Sequence, residues 1–168
     1  MQQYDRLVAF IVYARIMTIT DTTLADDRAR MRAVIETFYE RTSAKDIDGV
    51  LELCTDDLRM RIPFDPVEEV REVVGKEIVR VAGKAALEAY GSYRQIVTRI
   101  EPMLDPNSWL VSVKGDLTVL STGRDYRNDY LTILRFRDGR IAEWATYHDP
   151  IRQLIAFDAI EAPTVAGP

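Results

Sequence analysis

Between residues 109 and 148 the chain alternates three times with the two-residue period of a β-strand, and only tight turns separate the runs. Trp109, Val111, Val113, Leu117 and Val119 point one way, and Ser112, Lys114, Asp116 and Thr118 the other. Gly115 falls on the apolar side, where it marks a bulge or a bend. Gly123 turns the chain into a second strand, 126–137, and Asp138-Gly139 turns it into a third, 140–148. Pro150 then suits the first turn of a last helix carrying Ile151, Leu154 and Ile155. A meander of this kind has one face to bury, and helices elsewhere in the chain must cover it.

Those helices read from the first half. Asp26 and Asp27 can cap one that carries Met31, Val34, Ile35, Phe38 and Tyr39 at the 3.6 period and ends near Ser43. Asp46 caps a shorter one with Ile47, Val50, Leu51 and Cys54 on one face, and Asp56-Asp57 breaks it. Residues 58–64 read as a strand stopped by Pro63 and Pro66, residues 68–82 as a hairpin about Gly75-Lys76, and the stretch from Gly83 to Val97 as a helix. The order predicts an α+β domain over 26–160, preceded by a helical extension, 1–25, and followed by a flexible tail, 161–168.

At 168 residues the chain is one domain with room for a core, and 47% apolar and 29% charged residues are ordinary for a globular protein. A net charge of -5, with basic residues scattered among acidic ones, argues against nucleic acid as a partner. One cysteine, Cys54, permits no internal disulfide and reads as core, and a single histidine cannot build the usual zinc site. The apolar stretch 7–17 is broken by Arg15 and too short to span a bilayer, and no signal-peptide pattern surrounds it. It reads as an amphipathic helix, and the protein as cytoplasmic, with no membrane partner.

Tyr126, Asn128, Tyr130, Thr132, Leu134 and Phe136 share one face of the second strand: apolar bodies with polar handles, which suit either a small-molecule pocket or a core with its hydroxyls satisfied. On the third strand Trp144, Thr146 and His148, the only histidine, share a face. His148 is either a general acid/base or a hydrogen-bonding turn residue, and Asp149 reads as the cap of the last helix. Tyr90 and Arg94, one helical turn apart in this reading, either hold an enolate or carboxylate or form a surface pair. No dinucleotide, phosphate-loop or nucleophile-elbow signature is present, so redox cofactors, nucleotides and serine hydrolysis have no support.

The Tyr-x-Asn-x-Tyr series at 126–130, Arg-Asp-Gly-Arg-Ile at 137–141 and Tyr-His-Asp-Pro at 147–150, behind two helices and a strand, resemble the SnoaL-like branch of the nuclear-transport-factor-2-like superfamily. The likeness runs over about 28–157 and is nearest, in 122–157, to the phenazine-biosynthesis A/B proteins. It implies a conical barrel, a strongly curved antiparallel sheet wrapped around helices, in a homodimer formed through the sheet. It also implies a deep apolar pocket and acid–base chemistry without cofactor or metal. The superfamily spans cyclases, isomerases, dehydratases, epoxide hydrolases and non-catalytic modules, so reaction has to be argued from the site. The carboxylates of its known members do not carry over. Hydrolase-type Arg and Asp positions fall on Val113 and Gly115, and the last-strand Asp or Glu falls on Thr146. The phenazine-type helix histidine falls on Tyr90, and Ile62 stands where the ketosteroid-isomerase-like members have an Asp before a proline.

The reading that results is a cyclase or isomerase acting on a small apolar carbonyl compound, with secondary metabolism as a setting. His148 would be the base, Tyr90 and Arg94 the oxyanion donors, and Asn128, Tyr130, Thr146, Trp144, Tyr126, Val113 and Phe38 the substrate wall. Epoxide opening, which wants a carboxylate to activate water, is less supported. The alternative is a non-catalytic dimeric module that binds a hydrophobic small ligand or a partner protein.

Overall fold

The computed structural model describes residues 2–162. A long helix, α1 (Gln2–Ser43), leads into α2 (Ile47–Glu52) and β1 (Cys54–Arg61). After a 3₁₀ turn (Glu68–Val70) come β2 (Glu72–Val74), α3 (Lys76–Glu88), β3 (Tyr90–Pro102), β4 (Ser108–Val119), β5 (Asp125–Arg137), β6 (Arg140–Tyr147) and α4 (Pro150–Ala156). Two of the expected caps are present. Asp46 accepts from the Gly49 amide at 2.9 Å, and Asp149 accepts from the Ile151 amide at 2.9 Å. Asp138 and Gly139 both have positive φ, 52° and 74°, as the two-residue β5–β6 hairpin requires.

The sheet runs β2-β1-β6-β5-β4-β3. The α+β architecture stands, a curved sheet with helices on one face, but the sheet is neither wholly antiparallel nor a closed barrel. β1 lies parallel to β6, and β2 and β3 remain as edges. Met31, Ile35 and Phe38 of α1, Val50 and Leu51 of α2 and Val79 of α3 meet Trp109, Val111, Val113, Leu134, Phe136 and Ile141 in the main core. Leu117, Val119 and Tyr126 form a second cluster with Ala156 at the other end of the sheet, against Tyr90, Tyr93 and Phe157.

Five local readings need correction. Asp26 and Asp27 lie inside α1, which passes through them unbroken. Both are exposed, and Asp27 pairs with Arg30 one turn on at 3.3 Å, so neither is needed as a cap. Asp56 and Asp57 lie within β1, which begins earlier than expected. The hairpin about Gly75 is absent: Gly75, at φ 99°, turns β2 directly into α3. The Val/Ile-rich run beyond it is helical because Val79, Ala82, Gly83, Ala86 and Leu87 form an inward stripe at spacings of three and four. The helix expected to run on to Val97 stops at Glu88, and 90–102 is a strand. Gly115 pairs in unbroken register with Asn128, so it makes no bulge. A Cβ there would stand 2.6 Å from the Tyr130 ring, so glycine is required by that close approach.

Among the described residues no helix is long and apolar enough to cross a membrane. The packing expected of 7–17 and residues 163–168 of the expected tail lie outside the described residues.

Candidate active site

A cavity of about 180 Å³ opens between the helices and the concave face of the sheet. α1 supplies Phe38 and Tyr39 to it, β3 supplies Tyr90, Tyr93 and Gln95, and β4 supplies Val113 and Leu117. β5 adds Tyr126, Tyr130 and Thr132; β6 and the corner beyond it add Trp144, Thr146 and His148; and Gln153 comes from α4. Eight of the sequence-predicted residues therefore converge: His148, Tyr90, Tyr130, Thr146, Trp144, Tyr126, Val113 and Phe38.

Arg94 does not join them. The β3–β4 register shifts between Tyr90 and Tyr93, so both tyrosines face inward while Arg94 is carried to the exposed face. Tyr90 and Arg94 are therefore not successive turns of a helix face, and the paired oxyanion role fails for Arg94. Asn128 is also absent from the lining, although it is buried. Its Nδ2 donates to the Tyr126 hydroxyl at 2.9 Å and to the Asp149 carbonyl at 2.8 Å, and its Oδ1 accepts from the Asp149 amide at 3.3 Å. It is a positioning residue that fastens β5 to the corner bearing His148.

His148 reaches the cavity. Its Nε2 is 2.7 Å from Gln153 Oε1, and its ring tilts against Tyr130 at 5.9 Å between centroids. With Gln153 Oε1 accepting, Nε2 carries the proton, and Nδ1 is left as a buried acceptor with no protein partner. Thr146 is committed elsewhere. Its hydroxyl accepts from Trp144 Nε1 at 2.8 Å and bonds Thr132 at 3.1 Å, which locks the indole edge-on against Phe38 at 4.9 Å.

Tyr39, Tyr93, Gln95 and Asp65 line the cavity without having been singled out for it, and Thr132 joins from the face expected to suit a pocket. The alternation of Tyr93, Gln95 and Val97 was the available signal for β3, hidden by the helix reading. Asp65, 8% exposed, lies on the loop after β1 just before Pro66. Its Oδ1 accepts from the Val67 amide at 2.8 Å. A carboxylate therefore does enter the site, three residues beyond Ile62, where the family comparison had placed none.

Burial pushes the ionisation of all five cavity tyrosines to higher pH. Desolvation is the main cause for each, taking Tyr93 to about 12 and pushing Tyr39, Tyr90, Tyr126 and Tyr130 upward as well. For Tyr130 the charge that Tyr126 would carry adds to the effect, and for Tyr90 and Tyr126 the Asp65 carboxylate contributes. At neutral pH these hydroxyls are neutral and can donate hydrogen bonds without becoming bases. Cys54 is fully buried, its thiol pushed up to about 12 by desolvation, and it lies outside the cavity.

A helix-backed, curved, unclosed mixed sheet with an aromatic-lined cavity on its concave side defines an α+β cone. The SnoaL-like domain model matches residues 35–144, and the chain belongs to that family. The Bacillus subtilis (strain 168) protein YesE, itself uncharacterised, is 24% identical over 113 residues, 67% of this chain and 77% of YesE. Two crystal structures share the fold. A candidate isomerase from Bacillus subtilis superposes with a TM-score of 0.71 at 22% identity, covering 80% of this chain and 96% of the other. A phenazine biosynthesis-related protein from Pseudomonas aeruginosa gives 0.70 at 19% identity, covering 84% and 88%.

Proposed function

We propose that this protein is a cofactor-free isomerase or cyclase that moves a proton next to the carbonyl of a small, largely apolar compound. The observation that carries the reading is the buried, unpartnered Nδ1 of His148 in a cavity ringed by neutral tyrosine hydroxyls. Abstraction of an α-proton by His148 leaves an enolate, whose oxygen needs donors that do not ionise first. Tyr130 and Tyr90, held neutral by burial, suit that task. The imidazolium then returns the proton to a second carbon, or the enolate carbon attacks a second carbonyl, giving isomerisation or ring closure. Asp65 is the other group able to take a proton, and it precedes a proline as the ketosteroid-isomerase-like base does. The candidate isomerase among the structural neighbours agrees with this class of chemistry.

The assay needs no knowledge of the natural substrate. Incubated with 2-tetralone in D₂O, the protein is expected to accelerate deuterium incorporation next to the carbonyl, saturably, as followed by proton NMR. His148→Gln is expected to lower that rate by at least about a hundredfold. Exchange no faster than buffer, or exchange unaffected in His148→Gln, sinks His148 as the base; loss in Asp65→Asn alone would move the role to Asp65. Saturable binding without any exchange would select the second reading, a ligand-binding module. That reading is favoured by Thr146, which fills the usual carboxylate position and is tied to Trp144 and Thr132.

The partner proposed for this chain is a second copy, seated on the outer face of the sheet. Leu131, 50% exposed, and Ile96, 39% exposed, lie there beside Lys114 and Asp129. Sedimentation velocity is expected to give a dimer that Leu131→Arg converts to monomer; a monomeric wild type at micromolar concentration would refute the arrangement.

A further inference from the structure

A second cavity of about 200 Å³ lies beneath α3, walled by Val50 and Ile47 of α2, Met60 of β1 and Ala82, Gly83 and Leu87 of α3. It adjoins the tyrosine-lined cavity, and Ile62, Asp65, Ala86, Tyr93 and Trp144 border both. The space exists because three positions of the inward stripe of α3, Ala82, Gly83 and Ala86, carry small residues where a helix against a sheet ordinarily presents leucine or isoleucine.

The two cavities differ in what they ask of an occupant. The polar side chains in the wall of the second are already bonded within the protein. Thr42 donates to the Phe38 carbonyl at 2.6 Å, Tyr93 accepts from Gln95 at 3.1 Å, Trp144 donates to Thr146 at 2.8 Å, and Asp65 accepts from the Val67 amide at 2.8 Å. In the first, His148 Nδ1 is buried and unpaired. A polar group is drawn to the first cavity and only apolar bulk to the second. An apolar cavity of roughly 150 Å³ holds a benzene molecule, so the chamber under α3 takes a group of about that bulk.

We propose that the ligand has two parts: a carbonyl-bearing head in the tyrosine-lined cavity and an apolar tail, about the bulk of one benzene ring, in the chamber under α3. The assignment of the head rests on the proton-transfer reading above; the tail chamber stands on its own walls. A methyl ketone with no more than the head would bind, and each added methylene reaching the chamber would tighten it.

Calorimetric titration with acetophenone and with 4-butylacetophenone separates the two parts. Wild type is expected to bind the butyl compound at least tenfold more tightly than acetophenone. Ala82→Leu, which fills the chamber, should bring that margin to within twofold and leave acetophenone affinity unchanged. Ala82→Val, a smaller fill, should shrink the margin partway and keeps the test available if the leucine variant does not fold. A margin that survives in the folded variants overturns the tail chamber, as does no margin in a wild type that binds acetophenone. Binding of the butyl compound alone, lost in Ala82→Leu, upholds the chamber and removes the carbonyl-head assignment. Binding of neither removes both.

Discussion

Raising the pH past about 10 is expected to unfold the domain in one cooperative step, with phenolate absorbance and loss of far-UV dichroism coinciding. An unfolded tyrosine ionises near 10.0, whereas burial holds the protons of Tyr39, Tyr90, Tyr93, Tyr126 and Tyr130 above that. Between the two values the unfolded chain sheds protons that the fold retains, so stability is full below pH 10 and falls as pH rises. Each such group removes at most about 1.4 kcal/mol per pH unit, so a few acting together remove several kcal/mol per unit. Domains of this kind hold only about 5–15 kcal/mol in total, so the transition should be complete within one or two pH units. Gradual growth of phenolate absorbance from pH 10 with the dichroism intact would mean that the hydroxyls are wetter than their burial implies.

Phe38→Ala is expected to cost about 3–5 kcal/mol, read as a lower urea midpoint at unchanged slope. Phe38 is 1% exposed and meets Tyr39 at 5.1 Å and Trp144 at 4.9 Å, both edge-on. It is at once core and cavity floor. Its removal strips packing from one side of Trp144 and joins new empty volume to an existing void, which limits how far the site can collapse to recover contacts. A loss below about 1 kcal/mol would show that α1 slides inward to close the gap. In that case the cavity is set by helix position more than by side-chain size.

What the sequence disclosed follows from how local each signal was. β4, β5 and β6 announce themselves because one face of each is buried and the other wet, and because Asp138-Gly139 is a turn by backbone chemistry alone. The α3–β3 region was opaque for two reasons. β-branched Ile78, Val79 and Val81 sit in a helix, Ile78 and Val81 exposed, which local propensity disfavours. Only Ala89 separates that helix from the strand, without the glycine or proline that usually marks such a boundary. The same opacity explains the site. Tyr126, Tyr130, Trp144 and His148 were legible from alternation, whereas Tyr93 and Gln95 required β3 to be recognised. Asp65 comes from an irregular loop with no period to betray its direction, and only the fold aims it inward. Arg94 failed for the converse reason, since a bulge leaves no trace in composition.

That bulge also sets how the site can change. Between the pairs Tyr90–Val119 and Tyr93–Leu117, two residues of β3, Gly91 and Ser92, stand opposite one of β4, Thr118, and Ser92 holds the place through its hydroxyl bond to Thr118 at 2.8 Å. Removing one residue at Gly91 or Ser92 would restore even pairing and keep both Tyr90 and Tyr93 facing the cavity, because residues two apart in a strand share a face. The inventory of donors is thus set partly by an irregularity of pairing: with the present length and even pairing, Tyr90 and Tyr93 would fall on opposite faces, and the pocket would lose one of its hydroxyls.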